Sequence, residues 1–270
     1  MAGADLSIIL IAQNESHAIA ACLESVAWAS EIVVVDGGST DDTVAVARRF
    51  TDRVEVNPWP GYAVQKARSL ALATREWVFS IDADERVTPA LRMEIESLLS
   101  GRPAHDGYSV PRLSTFLGRT VRHGGWYPDR QLRLLRRTRA RLSTRRVHEG
   151  FMVDGTVGRL RNDLLHFTHP TLQDSLDRLN RYTSLDALDR AGGRRVTALD
   201  MLLRPPATFL KKYVSQRGFE DGMPGFVLAS VSAMVKFALY AKIWELQRTA
   251  GGGGAGGPAG PPPGPGREAS

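Results

Sequence analysis

The run Trp77-Val-Phe-Ser-Ile81, closed by Asp82, Asp84 and Glu85, constrains this chain more than any other stretch. A short apolar and aromatic run bounded by charge is the pattern of a strand covered on both faces, as at the centre of an α/β sheet. The acids stand at the strand's carboxyl end, the end at which open α/β sheets bind ligands. Two carboxylates one residue apart can turn toward one hard cation, and a divalent metal bridging a diphosphate is the natural occupant. A polar strand exit and helix cap ahead of Thr88-Pro89 would use the same residues, and Asp-x-Asp alone is a common pattern.

The preceding stretch supplies the sheet. Leu6 to Ala12 reads as a first buried strand, leaving at Gln13-Asn14-Glu15. From His17 to Trp28, Ile19, Cys22, Leu23 and Val26 fall at helical spacing. Glu31 to Asp36 is a second strand, again with a carboxylate at its end. Gly37-Gly38 makes a tight turn, and Ser39 with Asp42 has the spacing of a capping box for a helix through Phe50. Val54 to Asn57, Gly61 to Thr74 and Trp77 to Asp82 follow as strand, helix and strand. Such alternation predicts a mostly parallel, Rossmann-like sheet with right-handed crossovers.

Several classes are excluded by what is missing. No Gly-x-Gly-x-x-Gly opens a helix after the first strand, and no Gly-x-x-x-x-Gly-Lys-Ser/Thr occurs, which argues against a nicotinamide dehydrogenase, a glycine-rich methyltransferase and a P-loop enzyme. One cysteine, Cys22, rules out an internal disulfide framework and any multi-cysteine zinc site, and its neighbours make it a small core residue. The net charge of +6 fits nucleic acid, an anionic membrane or a phosphorylated substrate, and does not choose among them. The opening residues carry no basic flank of a signal peptide and Leu6 to Ala12 is too short to span a bilayer, so the expectation is a cytoplasmic chain. Glu15, Asp36 and Asp82 close three strands on one edge, where carboxylates can accept from nucleotide base and ribose donors.

The segments Ser7-Ile-Ile-Leu-Ile-Ala-Gln-Asn-Glu15, Val33-Val-Val-Asp-Gly-Gly-Ser-Thr-Asp-Asp-Thr43 and Ser80-Ile-Asp-Ala-Asp-Glu85 resemble glycosyltransferase family 2, whose fold is GT-A. Phe116-Leu-Gly-Arg119, His123-Gly-Gly-Trp-Tyr-Pro-Asp129, Gln131-Leu-Arg-Leu134 and Val147-His-Glu149 resemble its bacterial lipopolysaccharide-core glucosyltransferase branch. The match runs from about Leu6 to Arg248. Gly37-Gly38, where a serine-glycine pair is usual, is a departure expected to be without consequence.

The resemblance implies an α/β GT-A (nucleotide-diphospho-sugar transferase) fold with a C-terminal helical region. Residues 1–105 would be the nucleotide-sugar half, 106–170 the acceptor-side half, 171–248 a helical and membrane-associating region, and 249–270 a disordered Gly/Pro tail. It further implies an inverting, metal-dependent transfer of a hexose, glucose above all, from a UDP-sugar to a lipid-linked glycan such as lipopolysaccharide core. Such a transfer needs a base for the acceptor proton and a cation for the departing diphosphate. By resemblance Asp129 is the base, with Glu149 in reserve. Asp84 is the leading ligand for Mn2+ or Mg2+, Asp82 contacts the ribose or assists the metal, and His148 is a further metal ligand or diphosphate contact. Asn14, Glu15 and Asp36 line the nucleotide.

Gly124-Gly125-Trp126-Tyr127 is either a sugar platform or an ordinary turn with Trp126 packed on the core; the resemblance places it on the acceptor side. Eight arginines and no lysine lie between Arg130 and Arg146. A solvated strand pair would explain them, while arginine rather than lysine suits forked recognition of phosphate, with Arg133 the first candidate for a diphosphate or acceptor contact.

Leu172 to Ala191 reads as a helix whose stripe Leu172, Leu176, Leu179, Tyr182 and Leu185 is expected to be packing. Met201 to Tyr213 is basic and amphipathic, interrupted by Pro205-Pro206, and suits an anionic inner-leaflet surface. Phe226 to Trp244 is 19 residues of largely apolar sequence. Lys236 and Lys242 weigh against a span, at about 2.5–3.5 kcal/mol each near a helix centre, and favour a helix that packs on the domain or lies in the interface. Peripheral attachment to the inner face of the cytoplasmic membrane follows. A sugar-nucleotide nucleotidyltransferase is the alternative enzyme, but Leu6 to Glu15 lacks the glycine and lysine of its opening loop. An inactive scaffold is disfavoured by the presence of Asp82, Asp84 and Asp129. A nucleic-acid partner would explain the arginines but not the acidic strand ends.

Overall fold

The computed structural model describes residues 5–142, 150–168 and 171–251. Two compact units emerge among the described residues, one of 5–113 with 129–142 and 150–166, the other of 114–128 with the helices that follow Phe167.

The first unit opens with β1 (Leu6–Ala12), α1 (Ile19–Val26), β2 (Glu31–Asp36), α2 (Thr43–Ala47), β3 (Val54–Val56), α3 (Tyr62–Leu72) and β4 (Trp77–Asp82). β5 (Glu85–Val87) and α4 (Pro89–Ser100) follow, then β6 (Gly107–Phe116), after which β7 (Arg119–Thr120) falls in the second unit, and β8 (Asp129–Arg136), β9 (Ala140–Leu142), β10 (Phe151–Val153), β11 (Val157–Arg159) and β12 (Leu164–Phe167) complete the strands. The sheet runs β3-β2-β1-β4-β8-β6-β12-β5. Its first four strands are parallel, with β1 between β2 and β4. β8 then lies antiparallel to both β4 and β6.

Both faces of the central strands are covered, which is why they read as unbroken apolar runs. Leu6, Ile8 and Leu10 pack with Ile19, Cys22 and Leu23 of α1 and Leu91 and Ile95 of α4. Ile9, Val33 and Val78 face the other way, onto Ala73 and Leu135. Thr88 caps α4 by accepting from the Leu91 amide at 3.1 Å, with Pro89 at the first helical position.

The expected capping box of the second helix is not what forms. Ser39 is drawn away by Asp36 and Asn14, and Asp41 takes its place, its Oδ1 accepting from the Thr43 amide at 3.0 Å. The helix spans Thr43–Ala47, and the chain continues in turns through Phe50.

In the second unit α5 spans Leu172–Arg190, α6 Ala198–Leu210 and α7 Gly222–Gly251. Two sequence expectations fail here. The α5 residues that are buried are Ser175, Thr183 and Ala187, whereas Leu172, Tyr182 and Leu185 are 44%, 54% and 51% exposed. Small residues permit close approach to α7, and Lys242 of α7 inserts there, donating to Asn180, Thr183 and Ser184 within 2.9 Å. Leu176 and Leu179 of the same stripe are half-buried, and Leu179 lines a cavity with Leu228 of α7. Nor do Pro205 and Pro206 interrupt α6, which continues through them; they remove two amide donors without preventing the helical φ that the ring itself favours. α7 belongs to a helical stretch long and apolar enough to cross a bilayer by length and composition, with mean hydropathy 1.6 and 22% of that window buried.

Candidate active site

At the ends of β1 and β2 the backbone is bound into one rigid edge. Asp36 is fully buried. Its Oδ1 accepts from the amides of Gly38 (2.9 Å) and Ser39 (2.8 Å), and its Oδ2 from the Ser39 hydroxyl. Asn14, at φ 55°, donates its amide to Ser39 Oγ at 2.9 Å and accepts from the Thr40 amide at 2.9 Å. The Glu15 amide donates to Thr43 Oγ1 at 2.8 Å. These three expected nucleotide residues therefore lie together, and Asp36 holds the turn.

Gly37 matters after all. A Cβ there would stand 2.5 Å from Trp59 Cε3, so a serine would displace the indole. Beside it, Gln13 donates to the Gly37 carbonyl at 3.1 Å, and its buried Oε1 has no hydrogen-bond partner among the described residues. The sequence reading passed over Gln13 and Trp59; neither carries a spacing signal.

At the end of β4 the acids divide. The Asp82 carboxylate accepts from Arg133 at 2.6 Å, with Lys66 Nζ at 4.0 Å, and keeps 35% of its side chain exposed. Glu85 is fully buried, binds the same Arg133 nitrogen and accepts from the Asp82 amide at 3.0 Å. Arg112 stands 3.5 Å from Glu85 and forks onto Asp129 Oδ2 at 2.5 and 2.9 Å, while Gln131 donates to Asp129 Oδ1 at 2.8 Å. Carboxylates and guanidiniums thus alternate from Asp82 to Asp129. Burial would raise the Asp82 carboxyl, but the charges of Arg133, Lys66 and Arg112 outweigh it and hold the group well below the ordinary range. For Glu85 burial wins and its pKa is raised, Arg133 opposing. Desolvation works against the Arg133 charge, and Asp82 and Glu85 more than restore it, raising its pKa. Arg133 Nε is buried without a partner among the described residues.

Asp84 points elsewhere. Its Oδ2 lies 3.3 Å from His166 Nε2, the two side chains being 26% and 12% exposed. β12 runs antiparallel to β5 with His166 opposite Glu85, which brings the imidazole to the Asp-x-Asp turn. Nothing in the local spacing announces it, since the strands are far apart in the chain. No group of three or more metal-ligating side chains occurs among the described residues. What Asp84 and His166 offer is a carboxylate and imidazole pair. Mg2+ is commonly held by one or two carboxylates with substrate phosphates and water completing the shell, and Mn2+ accepts such oxygen ligands. The pair fits a cation shared with a diphosphate. His148 and Glu149 lie outside the described residues.

In the second unit, Gly124 and Gly125 have φ 65° and 74°, and a Cβ on Gly125 would fall 2.6 Å from Gln216 Oε1. Trp126 packs at 6.1 Å on Phe116 and lines a cavity of about 250 Å³ with residues of α5 and α7, Leu179 and Leu228 among them. Lys212 donates to the Gly124 carbonyl at 3.0 Å, and His123 Nδ1 lies 2.9 Å from Asp221 Oδ1.

A β3-β2-β1-β4 parallel sheet, continued by antiparallel strands and carrying an acidic turn at its central strand's end, is the GT-A architecture of nucleotide-diphospho-sugar transferases. The chain belongs to glycosyltransferase family 2, whose family model, described as glycosyl transferase family 2, matches residues 7–164. It is 34% identical over 248 residues to the lipopolysaccharide core biosynthesis glycosyltransferase LpsC of Rhizobium meliloti (strain 1021), covering 89% of this chain and 92% of that one. An uncharacterised glycosyltransferase of Rickettsia typhi is 27% identical over 254 residues, covering 89% and 87%. Among solved structures, Staphylococcus aureus TarS 1–349 in complex with UDP-GlcNAc is similar at 14% identity, with 91% and 92% coverage and a TM-score of 0.46. Glucosyl-3-phosphoglycerate synthase from Mycobacterium tuberculosis, in complex with Mg2+ and UDP, is similar at 28% identity over 43% of this chain and 44% of that chain, with a TM-score of 0.32.

Proposed function

We propose that this glycosyltransferase moves a hexose, glucose first among candidates, from a UDP-sugar to a lipid-linked glycan of lipopolysaccharide-core type, with inversion, at the inner face of the cytoplasmic membrane. The observation that carries the reading is the Asp84 and His166 pair at 3.3 Å on the strand edge that also holds Asn14, Glu15 and Asp36. The acceptor class is supported by the LpsC relative, which matches this chain over nearly its whole length.

In this reading Asp129 accepts the proton of the acceptor hydroxyl. The freed oxygen bonds the anomeric carbon from the face opposite the diphosphate as the bond to the diphosphate oxygen breaks, and UDP leaves. Arg112 and Gln131 hold the carboxylate through three hydrogen bonds, which leaves a lone-pair direction for the incoming proton. A bound Mn2+ or Mg2+, held by Asp84 and His166, would neutralise charge on the departing diphosphate. Asp82 faces the ribose and Arg133 fixes Asp82. Glu149 is the reserve base and His148 a further diphosphate contact.

Transfer from radiolabelled UDP-glucose to a deep-core lipopolysaccharide acceptor tests this, with Asp129→Asn as the control that abolishes turnover while retaining UDP binding. Wild-type rates in Asp129→Asn would remove the base assignment. Turnover with a different UDP-hexose would correct the donor and keep the mechanism.

A further inference from the structure

α6 is amphipathic the wrong way round for a helix in water. Leu199, Leu202, Leu203, Leu210 and Val214 are 64%, 68%, 62%, 57% and 55% exposed. With Pro206 and Ala207, also exposed, they recur at the three- and four-residue spacing of a single helical face that continues into the π-helical turn Lys211–Ser215. The opposite face carries the polar groups. Asp200 is 7% exposed and accepts from Arg194 at 2.6 Å and Arg204 at 2.8 Å. Arg204 stacks over the Tyr240 ring of α7 at 5.1 Å, and Met201 packs with Leu239 and Ile243. Charge is satisfied inside, leucine is left outside, and a contiguous apolar face of this kind marks an interaction surface.

Building on the peripheral-membrane reading above, we propose that the outward stripe of α6 is the element by which this protein docks on an anionic lipid surface, lying in the headgroup plane rather than spanning. Charge selects the occupant. Arg194 and Arg204 are paired with the buried Asp200, Arg217 with Glu220, and Lys212 with the Gly124 carbonyl, which leaves the exposed Arg195 and Lys211 as the cations that this segment presents with its leucines. A second copy meeting the same face about a two-fold axis would set those cations against each other. Aromatics stand where an interfacial helix places them: Phe209 stacks on Tyr213 at 5.3 Å, and Phe219 and Phe226, 49% and 44% exposed, meet Tyr213 edge-on. α7 serves as the support. Met201 packs against its Leu239 and Ile243, and Lys242 is engaged by α5, an arrangement that a transmembrane α7 would have to surrender.

The test is co-sedimentation of the full chain with vesicles of phosphatidylglycerol and phosphatidylethanolamine, against pure phosphatidylcholine. The comparison includes Leu202→Glu/Leu203→Glu and the milder Leu199→Ser/Leu203→Ser, each checked by thermal melt and UDP binding. Withdrawing two leucines from lipid should weaken partitioning at least about tenfold, since each buried leucine contributes more than the free energy of one decade in affinity. Lys211→Glu should weaken it less and flatten its salt dependence. Wild-type binding to anionic vesicles that both leucine variants leave unchanged would overturn the role of α6 and spare the peripheral-membrane reading. Failure of the wild type to bind any vesicle would overturn both. A wild-type dimer in sedimentation velocity that Leu202→Glu/Leu203→Glu converts to monomer would overturn the proposal by showing a second copy on this face.

Discussion

His166 Nε2 lies 3.3 Å from Asp84 Oδ2, joining a residue of the last sheet strand to the acidic turn of the central one. If the pair holds a cation that UDP shares, UDP binding measured by calorimetry will need Mn2+ or Mg2+. Removing either ligand in Asp84→Ala or His166→Ala will then weaken it. Losing one charge-assisted contact costs about 1.5–3 kcal/mol, roughly tenfold to a hundredfold in affinity. UDP binding that is indifferent to EDTA and to both substitutions would dissociate the pair from the metal.

Arg133 is buried against Asp82 and Glu85, and its removal leaves the fully buried Glu85 with only Arg112, 3.5 Å away, to offset its charge. Arg133→Met should lower unfolding free energy by about 3–5 kcal/mol, the usual cost of an uncompensated buried charge. Adding Glu85→Gln should return part of that loss, because the remaining amide can be buried uncharged. Urea melts of the two variants decide it: a double variant no more stable than Arg133→Met would mean that charge is not the cause.

Gly37 and Trp59 should be energetically coupled, since a Cβ at Gly37 would overlap the indole. Gly37→Ser is expected to cost about 1–3 kcal/mol by overpacking. In a double-mutant cycle with Trp59→Ala, the coupling should lie within about 0.5–3 kcal/mol and favour the pair changed together. Additive losses would show that the indole swings aside freely.

The parallel half of the fold was legible because its signal is local. Leu6 to Ala12, Glu31 to Asp36 and Trp77 to Asp82 are apolar over their whole length since both sheet faces are covered. Cys22 was readable as core for the same reason and is fully buried, and burial pushes its thiol pKa up. His166 and Gln13 were not legible, because their meaning lies in strand pairing and in a turn of β2 that no spacing rule encodes. The helices misled more. In α5 a leucine stripe pointed to a packed face, but the buried positions are Ser175, Thr183 and Ala187, with Leu176 and Leu179 half-buried at their edge and Leu172, Tyr182 and Leu185 exposed. Periodicity reports that a helix has two faces and is silent on which one meets protein.

Acid should unfold the chain in two regimes, because its carboxyls are shifted in opposite directions. Asp41 is held at about 2; burial would raise it, and hydrogen bonds from Thr43 and Ser16 prevail. Asp82 is depressed as well, with Arg133 outweighing burial. A carboxyl depressed on folding stabilises the native state above its unfolded pKa near 3.8, and the contribution drains away as pH falls through the folded value. Glu85 has the reverse sign: raised by burial, it takes up its proton in the folded state at higher pH than in the unfolded one. Mild acidification therefore relieves the cost of its buried charge. Stability from chemical denaturation should accordingly hold or rise slightly as pH falls toward about 4.5 and then drop steeply from about 4 toward 2. Glu85→Gln should remove the rise above about pH 4.5, while Asp41→Asn should flatten the lower limb. A single uniform decline from neutral pH in all three proteins would contradict the opposed shifts.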